Sequence, residues 1–166
     1  MRFPSPLRLA LAILLIAAGS IAGAWIFQLL GYPPCELCLK ERIPYYAGIA
    51  LAALAIFLSV SGRESLLPAA FWGLALIFAA GAALGAYHSG VEWGFWPGPT
   101  DCTGRLDHAG SVNAFLKQLE TVKVVRCDAV SLRVFGLSLA VWNAVISTGL
   151  TVVALIGAWR SSAPRK

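Results

Sequence analysis

Four stretches of the chain, Leu9–Leu30, Ile43–Gly62, Leu66–Tyr87 and Val134–Trp159, contain no Asp, Glu, Lys or Arg. Crossing a bilayer as a helix takes roughly 20 apolar residues, and all four are long enough. One charge at mid-membrane costs about 2.5–3.5 kcal/mol on insertion scales, so four clean runs argue for four membrane spans. The composition agrees. Hydrophobic residues make up 58% and charged ones 13% of the 166 residues, whereas soluble domains carry about 25% charged residues. Small residues recur within the spans, as in AAGAALGA at 79–86, and they allow membrane helices to approach closely. The expected fold is all-α, a single four-transmembrane-helix bundle over 1–166 with no room for a second domain. No internal repeat is present. Arg2 and Arg8 before an apolar run, with Ala22-Gly23-Ala24 inside it, imitate a signal peptide, but the apolar character continues to Leu30 and predicts a retained helix.

The net charge of +5 forms no basic stripe interleaved with aromatics, which argues against nucleic acid as a partner. It reads better as topology. Four spans place both termini and the turn 61–65 on one side, with Arg2, Arg8, Arg63, Arg160, Arg165 and Lys166 against the single acid Glu64. The loops 31–42 and 88–133 share the other side. Basic residues are denser on the first side, which predicts cytoplasmic termini. All four cysteines, Cys35, Cys38, Cys102 and Cys127, fall in the two outer loops. An even count confined to the non-cytoplasmic face suits an oxidising compartment such as the bacterial periplasm.

Cys35 and Cys38 form a Cys-x-x-Cys pair where the first outer loop runs into the second span, followed by Lys40, Glu41 and Arg42. The positive end of a helix, with Lys40 and Arg42 nearby, is expected to favour the Cys38 thiolate, while Glu41 opposes it or pairs with one of the cations. At the membrane edge such a dithiol has access to a lipid-dissolved electron carrier. A quinone head group is apolar with two carbonyl oxygens, and Arg42 is a donor suited to one of them. Other chemistries fit less well. Zinc usually wants two such pairs, but Cys102 and Cys127 stand far apart in the chain, so no metal is expected. A c-type haem needs His after the second Cys, and this chain has Leu39. A disulfide across two residues stabilises little by chain entropy.

In the long loop, Val112, Phe115, Leu116, Leu119 and Val122 follow helical spacing behind Ser111. They predict a short amphipathic helix near 112–123, lying on the membrane surface or packed on the loop. Cys102 and Cys127 flank it. A disulfide between them is worth about 3 kcal/mol in the chain-entropy model and serves structure, exchange, or both. Trp93, Phe95 and Trp96 read as an interfacial aromatic belt, and Asn143 as a polar link between helices. His88 in isolation reads as an interfacial residue.

Four spans, CELC between the first two, KER directly after it, WPGPTDC before a second pair, and Phe135-Gly136-Leu137 entering the last span together resemble the bacterial disulfide bond formation protein B (DsbB) family over nearly the whole chain. The resemblance implies a quinone-dependent thiol oxidase of the inner membrane. In it, a reduced thioredoxin-like periplasmic oxidase (DsbA-type) attacks the Cys102–Cys127 disulfide at Cys102. Cys35–Cys38 reoxidises that pair, and Cys38 hands electrons to ubiquinone or menaquinone with Arg42 assisting. It also places His88 near the quinone. Glu36, between the active cysteines, departs from the best-known pattern, and an acid there disfavours a neighbouring thiolate. Two competing readings are a vitamin K epoxide reductase-like quinone reductase, whose CxxC follows the loop pair rather than preceding it, and a structural tetraspan stapled by two disulfides.

Overall fold

The computed structural model describes residues 5–99, 111–113, 125–130 and 132–162. Four long helices dominate it: α1 (Pro6–Leu29), α2 (Glu36–Val60), α3 (Leu67–Glu92) and α4 (Leu139–Ser162). All four are long and apolar enough to cross a membrane. Pro6 begins α1, where its missing N–H costs nothing. A 3-10 turn, Glu64–Leu66, joins α2 to α3. The expected all-α membrane bundle is present.

Three span boundaries differ clearly from expectation: the starts of the second and fourth helices, and the end of the third, which runs on to Glu92. The second helix begins at Glu36 rather than near Ile43, because Cys35 caps it, and Pro44 lies within it. The fourth helix begins at Leu139 rather than Val134. Residues Arg133–Val134 (β1) and Leu137–Ser138 (β2) instead pair as an antiparallel hairpin. Phe135 and Gly136 both have positive φ, 51° and 81°, as two-residue hairpin turns demand. Trp142 Nε1 donates to the Val134 carbonyl at 2.9 Å, tying the hairpin to α4. Ser138 Oγ accepts from the Val141 N–H at 3.3 Å and so caps α4, and it also donates to Glu92 at the end of α3.

The helices pack as a ring in which each contacts its sequence neighbour and α4 closes against α1, with α3 against α4 the most extensive seam and α1 against α4 the slightest. Small residues explain the tight seam. A Cβ on Gly85 would lie 2.7 Å from the Ala144 backbone nitrogen, and one on Gly157 would lie 2.4 Å from the Phe71 ring. Ile13, Phe71, Leu74, Phe78 and Leu150 are buried at the centre. Asn143 does link helices. It accepts from Ser147 Oγ at 3.3 Å and its Nδ2 donates to the Gly81 carbonyl at 3.5 Å, while Tyr45 on α2 bonds Ser147 at 3.0 Å.

Candidate active site

The site lies at one end of the bundle, where α2 begins and α3 ends. Cys35 stands just outside α2 with extended backbone, and its sulfur accepts the Cys38 N–H at 3.2 Å. That is the N-cap position, where orphan amides and the helix dipole favour an anion. One helical turn on, Cys38 brings its sulfur to 2.6 Å from that of Cys35, both present as free cysteines. A pair this close is placed to form and break a disulfide without backbone rearrangement.

Behind the pair stands His88. The third helix runs past the expected Tyr87 boundary to Glu92, which places His88 inside the last turns rather than at an exposed edge. It is 3% exposed. Its Nε2 lies 3.7 Å from Cys35 Sγ, and its Nδ1 lies 2.9 Å from Glu41 Oε1, with Glu41 itself buried. An ionised carboxylate only accepts, so Nδ1 carries the hydrogen and Nε2 is left to exchange a proton with Cys35. Cysteine, imidazole and carboxylate thus form a chain in which the thiol can pass its proton to the ring while the carboxylate holds the resulting charge.

The favoured thiolate is therefore Cys35 rather than Cys38. The hydrogen bond from the Cys38 thiol, followed by those from His88 and the Cys38 backbone, holds the Cys35 pKa well below the usual thiol range against the opposing effect of burial. Lys40 and Arg42 were expected to supply this stabilisation. Arg42 instead turns toward α1, where Nη1 donates to Gln28 Oε1 at 3.0 Å. Glu41 pairs with neither cation. Its role was hidden in the sequence, although Cys38, Glu41 and Tyr45 follow the i, i+3, i+7 spacing of one helix face once the helix is known to start at Glu36.

A cavity of about 330 Å³ opens beside the pair, walled by Gly23 and Phe27 of α1 and by Ala140 and Ile146 of α4, with Cys38, Arg42 and His88 among its polar lining. It occupies the slight α1–α4 seam. Its size and apolar walls with few polar groups are those of a small-molecule site. Cys127 is disulfide-bonded and buried in one apolar cluster with Cys35, Leu37 and Val91. The structure therefore brings Cys35, Cys38, His88 and Cys127 together, with Arg42 on the cavity wall. Cys102 lies outside the described residues, as does the predicted surface helix beyond residue 113. Trp93, Phe95 and Trp96 are exposed next to the site, with Trp96 stacked on Tyr87 at 5.9 Å.

A four-helix membrane bundle with a dithiol at one end, set beside a buried imidazole–carboxylate pair, defines a class: membrane proteins of thiol–disulfide chemistry. The model of the family described as "Disulfide bond formation protein DsbB" matches residues 6–157, and the chain belongs to that family. It is 29% identical over 157 residues to a disulfide bond formation protein B of Xanthomonas campestris pv. campestris, covering 92% of this chain and 90% of the relative. A protein of the same name from a Polaromonas species is 26% identical over 152 residues, covering 89% and 87%. An uncharacterized protein of Rickettsia prowazekii, RP370, is 22% identical over 147 residues, covering 87% and 83%. No solved structure matches the chain.

Proposed function

We propose that the protein is a protein-dithiol:quinone oxidoreductase of the bacterial inner membrane, with cytoplasmic termini and periplasmic cysteine loops. It reoxidises a thioredoxin-like periplasmic oxidase. The net reaction converts the partner's two thiols and one quinone into a disulfide and a quinol. The observation that carries this reading is the cavity: an apolar, ligand-sized space within the bundle that has Cys38, Arg42 and His88 in its wall.

The residues fit a quinone head group. The apolar walls suit its ring, and the Arg42 guanidinium supplies N–H donors to a carbonyl oxygen. When bound, the quinone supplies a two-electron, two-proton acceptor in contact with the lipid phase. The chain does the rest. The partner's thiolate attacks the loop disulfide at Cys102 and leaves a thiolate on Cys127. Cys127 shares an apolar cluster with Cys35, so its next attack is on Cys35, forming a Cys127–Cys35 bond and releasing Cys38. The partner's second thiolate attacks the partner–Cys102 bond, so the partner leaves as a disulfide and Cys102 as a thiolate. Cys102 then attacks Cys127 and expels Cys35, whose departing charge is held by the Cys38 N–H and by His88 backed by Glu41. His88 takes or returns the proton that Cys35 exchanges.

The test mixes purified protein with a reduced thioredoxin-like oxidase and a soluble quinone analogue and follows quinone absorbance. The wild type is expected to consume quinone, and Cys38→Ala and Cys102→Ala to fail. An inert wild type, tried with several partners and with both ubiquinone and menaquinone analogues, would overturn the reading in favour of a tetraspan with structural cysteines.

A further inference from the structure

Two thiols and one ring nitrogen converge at the site, and disulfide exchange between the thiols does not itself need the nitrogen. The sulfurs of Cys35 and Cys38 and a nitrogen of His88 all lie within 4.8 Å of one another. Two thiolates and an imidazole are a donor set that zinc accepts readily, usually in a tetrahedron. The Cys35 Sγ to His88 Nε2 separation of 3.7 Å already matches the edge of such a tetrahedron, about 3.6 Å for ordinary Zn–S and Zn–N bonds. The sulfurs, 2.6 Å apart, must separate to about 3.8 Å. Rotation of the partly exposed Cys38 side chain permits that. Glu41 completes the arrangement from behind. Its carboxylate on Nδ1 fixes the tautomer that directs the Nε2 lone pair at the sulfur, as outer-shell carboxylates do for metal-bound histidines.

We propose that the reduced Cys35–Cys38 pair and His88 Nε2 form a Zn²⁺ site whose fourth position faces the cavity, and that zinc held there reversibly blocks the dithiol. Binding changes no oxidation state: two thiols release two protons as two Zn–S bonds and one Zn–N bond form. The disulfide form offers no thiolate and holds no zinc, so metal and oxidation exclude each other. The proposal rests on the function above only in requiring a reducible pair, because zinc binding needs neither quinone nor partner.

The test uses the full chain in detergent, with Cys102→Ser and Cys127→Ser so that only the first pair responds. The reduced protein, cleared of reductant, is titrated with Zn²⁺ against a chromophoric chelator. One equivalent is expected to bind when the pair is reduced and none when it is oxidised. Glu41→Gln should weaken binding roughly 10- to 100-fold, the usual effect of losing an outer-shell partner. His88→Ala should weaken it at least as much, and His88→Cys should restore it. X-ray absorption of the zinc-loaded protein, which needs no change at His88, should show two sulfurs and one imidazole. Reduced protein that binds no zinc, affinity unchanged by His88→Ala, or a metal shell without imidazole would each overturn the proposal. Zinc binding to this protein without quinone turnover by the wild type would leave the proposal standing and remove the function above, and wild-type turnover without zinc binding would do the reverse.

Discussion

Replacing Glu41 by Leu and by Gln should separate two roles of one buried carboxylate. Glu41 and His88 meet at 2.9 Å with side chains only 10% and 4% exposed, so water does not replace a lost partner. Leu keeps the approximate volume but leaves the His88 Nδ1–H without its acceptor. Stranding a buried donor costs about 1–3 kcal/mol, and about 3–5 kcal/mol where the lost partner belonged to a buried ion pair. Gln still offers a carbonyl oxygen to Nδ1–H. It exchanges a charge-assisted hydrogen bond for a neutral one, a loss of about 1 kcal/mol. The Leu variant should therefore be the less stable by about 2 kcal/mol. Equilibrium unfolding in mixed micelles, followed by far-ultraviolet circular dichroism on the reduced protein, measures the difference. A Leu variant as stable as the Gln variant would show that the carboxylate–imidazole contact does not hold the α2–α3 corner together.

Three further outcomes follow from the same geometry. Cys38→Ala removes the largest contribution to the lowered Cys35 pKa. Because that hydrogen bond favours the anion, its loss should move the pH midpoint of Cys35 alkylation upward, and an unchanged or lower midpoint would contradict the assignment. Gly85→Val drives a side chain into the Ala144 backbone, where even a Cβ would sit at 2.7 Å. It should destabilise the bundle by about 1–3 kcal/mol, readable as a lower melting temperature, with Gly19→Val, which has open space around it, as the milder control. Arg42→Met should raise the KM for a soluble quinone about 10-fold or more, the loss of a hydrogen bond from a charged donor. Reduction of the loop disulfide by the partner should proceed as in the wild type, and a slowed thiol step with normal quinone KM would refute the proposed contact between Arg42 and a quinone.

The spans were readable because lipid tolerates no unpaired backbone and few charges, so each helix writes itself into the chain as a clean apolar run. Their ends were less readable. Cys35 as an N-cap is invisible to a hydropathy argument, and Pro44 made an early start for α2 look unfavourable. Val134–Ser138 is apolar enough to extend a span, yet Phe135 and Gly136 take a turn that a helix cannot contain. The cysteines were legible as chemistry because their spacing and their confinement to two loops carry information without coordinates.

The sequence by itself determined that the chain crosses a membrane four times and carries a dithiol at the edge of one span, since transfer energies and residue types are local properties. Which thiol is activated was a matter of tertiary structure. His88 and Glu41 stand 47 positions apart in the chain, and no periodicity links them. Only the packing of α2 against α3 sets the imidazole between the carboxylate and the Cys35 sulfur. Only the weak α1–α4 seam leaves a cavity there, with Arg42 turned into its wall. Proton transfer and charge stabilisation act over a few ångströms, and distances on that scale between remote residues exist only once the helices have packed.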